Sequence, residues 1–299
     1  MNTHTILLFA KRGQLGWELN RTLFPLGNLI TADMLDADFE NPDSVVKLIR
    51  QVKPAYIINP AAYTAVDQAE VEQERAAKIN AVTPGIIAEE AKKGGAVLVH
   101  YSTDYVFDGT KTVAYTEDDP TNPLNVYGQS KLKGEQVIGH VGGAFVILRT
   151  SWVYSLRGNS FVSKSLKWAR NQKKIKIVSD QIGSPTWARM LAEVTAAVIA
   201  QSLPSPQGYF SERCGLYHLG GSGSVSRFDF TRAVLRLDPR FEEQIVEDIE
   251  PVLTAEFPTP ARRPLSTPLD CSRFEKVFGF QLPNWEESLR LAMEEYQVM

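Results

Sequence analysis

Cysteine is scarce in this 299-residue chain: Cys214 and Cys271 are the full complement. Neither belongs to a C-x-x-C pair, which excludes a disulfide framework and a thiolate metal site. The four histidines are scattered, so no imidazole cluster has metal-ligand spacing. Long apolar runs are also missing. The longest, residues 6–10 and 196–200, are far too short to span a bilayer. The N-terminus has no apolar core followed by a small-residue cleavage site, and the expected compartment is the cytoplasm. An excess of one charge is missing too. Lys and Arg number 32 against 35 Asp and Glu, a formal net charge of −3. Nothing here suggests a hold on nucleic acid or anionic lipid. No internal repeat or low-complexity tract interrupts the chain. What is present, 43% hydrophobic and 22% charged residues, is the composition expected of an ordinary soluble globular protein.

Apolar runs and helical stripes alternate. Residues 5–10 read as a buried strand before a Gly-containing turn. Leu15, Leu19, Leu23 and Leu26 form a helical stripe over 14–26. A second strand at 28–31 closes on Asp33. Asn41-Pro42-Asp43 opens a helix through 52, with a capping residue and an early proline. Strands at 55–59, 96–101 and 144–148 enclose helices at 71–93 and 126–138. This order predicts an α/β fold, a Rossmann-like doubly wound parallel sheet with right-handed crossovers. Residues 1–150 are the expected dinucleotide-binding domain. Residues 151–299 are expected to form mainly a smaller substrate-binding lobe, with some segments returning to the first domain. In that half, 204–208 reads as a loop, 220–224 as a turn before a helix near 228–235, and 285–296 as a closing helix. The four prolines of 258–268 exclude regular helix there.

The chemistry-bearing residues sit at strand ends. Tyr127 and Lys131 lie four positions apart, one turn on one helix face. A cation beside a phenol stabilises the phenolate and eases proton transfer. Thr103, at the end of the strand predicted at 96–101, could share a carbonyl oxygen with that phenol. Such a Tyr/Lys spacing also falls on ordinary helix faces, so its neighbours matter. Ala10-Lys11-Arg12-Gly13-Gln14-Leu15-Gly16 joins a strand to a helix, where a dinucleotide turn belongs. Ala10 stands where the usual turn has glycine. Asp33 ends the second strand and can accept from an adenosine ribose. Lys11 and Arg12 favour an extra phosphate instead, which leaves NADH and NADPH both open. The small residues Ala61 and Ala62 leave room for a flat ligand.

Several segments together carry a family resemblance. They are Tyr63-Thr64-Ala65-Val66-Asp67, Ser102-Thr103-Asp104-Tyr105-Val106-Phe107, Pro123 to Gly128 with Lys131, Arg149-Thr150-Ser151-Trp152-Val153-Tyr154, Asp180 to Thr186, and Pro258 to Pro264. The chain resembles the extended short-chain dehydrogenase/reductases, and more narrowly the dTDP-4-dehydrorhamnose reductase family. The resemblance implies that Tyr127 is the general acid, that Lys131 tunes it and holds the nicotinamide ribose, and that Thr103 bonds the ketone. It implies cofactor contacts at Ala10, Arg12, Gly13, Gln14, Leu15, Gly16, Asp33, Asp38, Phe39, Ala61, Ala62 and Tyr63, besides Tyr127 and Lys131. Val66, Thr103, Asp104, Tyr105 and Trp152 would line the sugar site, with Arg262 or Arg263 on the diphosphate. The implied partner is a dTDP-linked 6-deoxy-4-ketohexose. Some members of the family are metal-bridged dimers that use glutamates. Glu18 and Glu294 match two such positions, but Arg189 stands at the third. No metal bridge is therefore expected, and a homodimer stays open.

Two rival readings keep the fold. One is a nucleotide-sugar epimerase or dehydratase; dehydratases need an acid pair beside the threonine, whereas Thr103 is followed by Asp104-Tyr105. The other is a non-catalytic regulatory subunit, against which the intact Thr103, Tyr127 and Lys131 argue.

Overall fold

Leu7 and Leu8 are adjacent, fully buried, and belong to different cores. Successive side chains of a strand point to opposite faces, so a strand apolar at every position must be covered on both sides. The computed structural model, which describes residues 4–298, shows that arrangement. The first half runs β1 (Thr5–Phe9), α1 (Gln14–Leu23), β2 (Asn28–Ala32), α2 (Pro42–Val52), β3 (Tyr56–Asn59), α3 (Val66–Ala69), α4 (Gln73–Ala77), α5 (Thr83–Gly94), β4 (Val97–Thr103), α6 (Val126–Val141) and β5 (Phe145–Thr150).

These strands form one parallel sheet with a sixth, Gly215–His218, on its far edge. The spatial order is 215–218, β5, β4, β3, β1, β2. Ile6, Leu8, Tyr56, Ile58, Val97, Val99, Val146 and Leu148 face α1 and the helix Ala188–Ser202. Leu7, Phe9, Ile57, Leu98 and Ile147 face Val45 and Ile49 of α2 and Ile87, Ala88 and Ala91 of α5. The leucine stripe of α1 buries Leu15, Leu19 and Leu23 as the spacing predicts. Each such side chain contributes about 1.5–3 kcal/mol of apolar transfer.

The second half contributes Gly215–His218 and the helix Ala188–Ser202 to this sheet. Its other strands are short pairs: Lys174–Val178 with Asp248–Val252, Ile182–Gly183 with Val225–Ser226, and Val153–Tyr154 with Thr186–Trp187.

Three local expectations are corrected. The helix expected over 71–93 begins at Gln73 and contains a π turn, Lys78–Val82, between α4 and α5. Residues 204–208 are not all loop, because Pro206 starts a short helix, Pro206–Ser211, at a position where its missing N–H costs nothing. The Asn41 side chain makes no cap hydrogen bond to α2. Instead the Ser44 hydroxyl donates to the Asn41 carbonyl at 2.7 Å.

Candidate active site

From β1 the chain crosses to β2 on one side of the sheet, and β3 and β4 lie on the other. Such a reversal leaves a crevice beyond the carboxyl ends of the strands. A cleft of about 480 Å³ opens there, between the β1–α1 turn and the N-terminal turn of α6.

The β1–α1 turn is tight. Ala10 sits at φ 50, in the left-handed region, where a non-glycine residue is strained by about 1–2 kcal/mol. Its carbonyl accepts from the Gly13 N–H at 3.0 Å. A Cβ on Gly16 would lie 1.9 Å from that same carbonyl oxygen, so only glycine allows α1 to start this close to the turn. Gly13 caps α1 without a side-chain bond, which leaves first-turn N–H groups and the positive helix end free for an anion. Ala10, Gly13, Gln14, Leu15 and Gly16 all line the cleft, with Ala61 and Ala62 opposite. Gln14 Oε1 and Thr150 Oγ1 are buried without a protein partner. A phosphate-rich, planar dinucleotide suits these donors, this close backbone approach and these unpaired oxygens.

Five other residues expected at the cofactor are placed off the lining of the cleft. Arg12 pairs with Asp33, Nε to Oδ2 at 3.2 Å, and its N–H donates to Asp33 Oδ1. The two residues of opposite cofactor implication therefore hold each other. Asp38 Oδ1 accepts from the Glu40 N–H at 2.8 Å. Phe39 packs edge-on against Phe9 at 5.3 Å. Tyr63 donates its backbone N–H to Asn80 Oδ1 at 2.8 Å and its hydroxyl to Glu72. Asn80 lies in the π turn and also donates to the Ser130 hydroxyl at 2.9 Å, tying that turn to α6.

Asn125 caps α6 by accepting from the Gly128 N–H at 2.8 Å. The next turns bring Tyr127 and Lys131 to the cleft, and β4 brings Thr103. Thr103 Oγ1 donates to Asp104 at 3.2 Å and accepts from the Tyr105 N–H. The Tyr127 ring packs edge-on against Tyr105. The phenol is not acidified in this structure. Its low-dielectric surroundings push its pKa above the ordinary tyrosine range, with Thr103 pulling the other way. The expected cation is engaged elsewhere: Lys131 Nζ donates to the Tyr101 carbonyl at 2.6 Å and stands 3.3 Å from His100 Nε2. Burial brings the Lys131 pKa down to about 8, against the pull of Glu135.

Val66, Asp104, Tyr105 and Trp152, the residues expected to meet a sugar, line the same cleft. Asp104 is buried, accepts from Thr267 at 2.6 Å and Ser151 at 2.9 Å, and is pushed up by burial. Trp152 has φ 46, a strained backbone at a position that lines the cleft. A Cβ on Gly183 would lie 2.5 Å from the indole, so the ring rests directly on that backbone. The expected arginines are elsewhere. Arg263 forks onto Asp67 at 2.6 and 2.8 Å, and Arg262 is exposed, offering only its carbonyl to Asn125. The guanidinium that does line the cleft is Arg227, which the sequence reading missed. Burial lowers its pKa to about 10. Its only sequence signal is its place after the Gly220–Ser224 turn.

Away from the cleft, Glu18 is buried and pushed up by burial, with Arg189 opposing. Arg189 pairs with Glu193 and Glu295, and Glu294 with Arg290. Among the described residues, no three His, Cys, Asp or Glu side chains cluster as a metal site, and no helix is long and apolar enough to cross a membrane.

A doubly wound sheet, a glycine turn against a helix start and a Tyr/Lys pair in one crevice define a Rossmann-type reductase of the short-chain class. The family model described as "RmlD substrate binding domain" matches residues 4–298. A dTDP-4-dehydrorhamnose reductase of Escherichia coli K12 is 41% identical, over 97% of both chains. One of Burkholderia thailandensis is 39% identical, over 97% of this chain and 98% of the relative. The chain belongs to the dTDP-4-dehydrorhamnose reductase family. The crystal structure of the Bacillus anthracis dTDP-4-dehydrorhamnose reductase in complex with NADP has a TM-score of 0.88 and 34% identity, covering 98% of this chain and 99% of that one. The Thermus thermophilus UDP-glucose 4-epimerase complex with NAD, at 17% identity and a TM-score of 0.78 over 98% of this chain and 99% of that one, shares the fold.

Proposed function

We propose that the chain reduces the C4 ketone of dTDP-4-dehydro-6-deoxy-L-mannose (dTDP-4-keto-L-rhamnose) to dTDP-L-rhamnose, using NADPH or NADH. The observation that carries this is the meeting of the Ala10–Gly16 turn with Thr103, Tyr127 and Lys131 in one cleft. The bound nicotinamide supplies the hydride. The turn and the α1 start hold the pyrophosphate, and Ala61 and Ala62 leave a flat wall. Lys131 holds the nicotinamide ribose. Tyr127 gives its proton to the ketone oxygen, which Thr103 also bonds. Trp152 offers an aromatic face to the C–H side of the deoxyhexose, and Val66, Asp104 and Tyr105 shape the pocket around it. Arg227 replaces Arg262 and Arg263 as the guanidinium for the diphosphate. Holding both reactants in one geometry supplies a large share of the rate.

The raised phenol pKa suits a donor, since the proton must stay on the oxygen until charge develops on the substrate. Residues 1–150 act as the nucleotide half and 151–299 mainly as the substrate lobe, with 188–202 and 215–218 packed back on the sheet. A cytoplasmic location goes with this reading, because nucleotide sugars and nicotinamide cofactors are made and held there.

The test is NADPH oxidation with dTDP-4-keto-rhamnose by the parent and by Tyr127→Phe. A loss of about 100-fold or more in kcat is expected for removing the acid. A variant as fast as the parent overturns the assignment. Stoichiometric consumption of added NADPH separates this reaction from an epimerase or dehydratase that regenerates its cofactor. A regulatory subunit would show no turnover at all.

A further inference from the structure

Lys131 is 1% exposed, and its amine meets β4, whose His100 is in turn bonded from β3. From β4, the Tyr101 carbonyl accepts at 2.6 Å and His100 Nε2 stands at 3.3 Å. From α6 come Tyr127 and Glu135. The Glu135 carboxylate is held by Arg149 of β5 at 2.6 and 2.9 Å and by Ser102 of β4 at 2.5 Å. From β3, Asn59 Nδ2 meets the other imidazole nitrogen, His100 Nδ1, at 3.1 Å.

The orientation of Asn59 is fixed by the next loop. Its Oδ1 accepts from the Ala61 N–H at 3.1 Å, so its NH2 group faces His100. His100 Nδ1 is then the acceptor, and the single proton of the neutral ring sits on Nε2. The ring is neutral because full burial holds its pKa well below the ordinary value. An Nε2–H aimed at an ammonium places donor against donor. The contact is satisfied when Lys131 is the uncharged amine. Its lone pair then takes the Nε2–H while one of its own N–H groups keeps the Tyr101 carbonyl.

We propose that the Asn59–His100 pair is a positioning device that favours the uncharged Lys131 amine before the cofactor binds, so that in mildly alkaline solution cofactor binding loads a proton onto Lys131. This rests on the reading that Lys131 meets the nicotinamide ribose, whose hydroxyl oxygens accept from an ammonium. The proton comes from solvent and adds to the amine nitrogen; no other bond changes. Burial independently brings Lys131 to about 8, which puts the switch within reach of ordinary buffers.

Calorimetric titration of NADPH into the full chain, in two buffers of different ionisation enthalpy, reads the proton directly. Uptake of about three-quarters of a proton is expected at about pH 8.5, and almost none at about pH 6.5, where Lys131 is charged in both states. His100→Gln offers a carbonyl to the ammonium, so Lys131 is charged beforehand and uptake at the higher pH falls by more than half, with NADPH still bound. Asn59→Asp accepts from an Nδ1–H, frees Nε2 to accept, and gives the same loss if His100→Gln does not fold. Binding of NADPH without uptake by the parent, or full uptake in the folded variant, overturns the proposal and leaves the cofactor reading intact. Failure of the parent to bind NADPH overturns both.

Discussion

The Arg227 guanidinium lies over the Trp152 indole, its carbon 3.5 Å from the ring centroid, and 4.7 Å from the centroid of Phe161. The stack fixes a planar fork at the wall of the cleft. Replacing it by Arg227→Lys keeps the charge and loses the fork. The KM for the nucleotide sugar is expected to rise about 10- to 100-fold, the range of a charged hydrogen bond worth about 1.5–3 kcal/mol. The KM for NADPH should stay within about twofold. An unchanged sugar KM in steady-state assays would separate this guanidinium from the diphosphate.

Arg12 and Asp33, the two residues of opposite cofactor implication, form an ion pair. Asp33→Asn removes the carboxylate that would repel a 2′-phosphate and leaves Arg12 free to meet it. The ratio of kcat/KM for NADPH over NADH is expected to rise at least about tenfold, equivalent to about 1.4 kcal/mol. Arg12→Ala should move the same ratio down. Kinetics with each cofactor at fixed sugar concentration decide this, and a ratio unmoved by both variants would place the adenosine ribose elsewhere.

The β1–α1 turn makes opposite predictions at its two ends. Gly16→Ala drives a methyl into the Ala10 carbonyl, so the turn must open and NADPH affinity should fall at least about tenfold. Ala10→Gly relieves a left-handed alanine. The relief of about 1–2 kcal/mol exceeds the extra unfolded-state entropy of about 0.5–1 kcal/mol. A net gain of up to about 1 kcal/mol is expected in urea unfolding.

Glu135 and Arg149 form a two-pronged ion pair whose side chains are 4% and 5% exposed. Breaking one half leaves an uncompensated buried charge. Glu135→Leu is expected to cost about 3–5 kcal/mol in denaturant unfolding, and adding Arg149→Met should return most of the loss. If the double variant is as unstable as the single one, the pair is holding β4, β5 and α6 together through packing.

The sheet was legible because every strand in the first half is apolar on both faces and each is bounded by turn residues. The helix carrying Tyr127 was legible from its place between two strands and from the Tyr127/Lys131 spacing. The direction in which Lys131 turns its amine was not, because that depends on Tyr101 and His100 of a different strand. Arg227 escaped for a similar reason: an arginine after a Gly/Ser turn reads as solvent-facing until the fold lays Trp152 beneath it. Arg262 and Arg263 were prominent in sequence because they stand among prolines, but Asp67 already occupies Arg263. The π turn at Lys78–Val82 leaves no trace in apolar periodicity, since one extra residue only shifts the stripe.

The strand Gly215–His218 covers the open side of β5. A fragment ending at Thr150 would therefore expose a long row of unpaired amides and carbonyls on β5, with no second half to mask them. Such an edge recruits other chains. Residues 1–150 are consequently not a portable module, and expressing them alone should yield more aggregate than expressing the full chain.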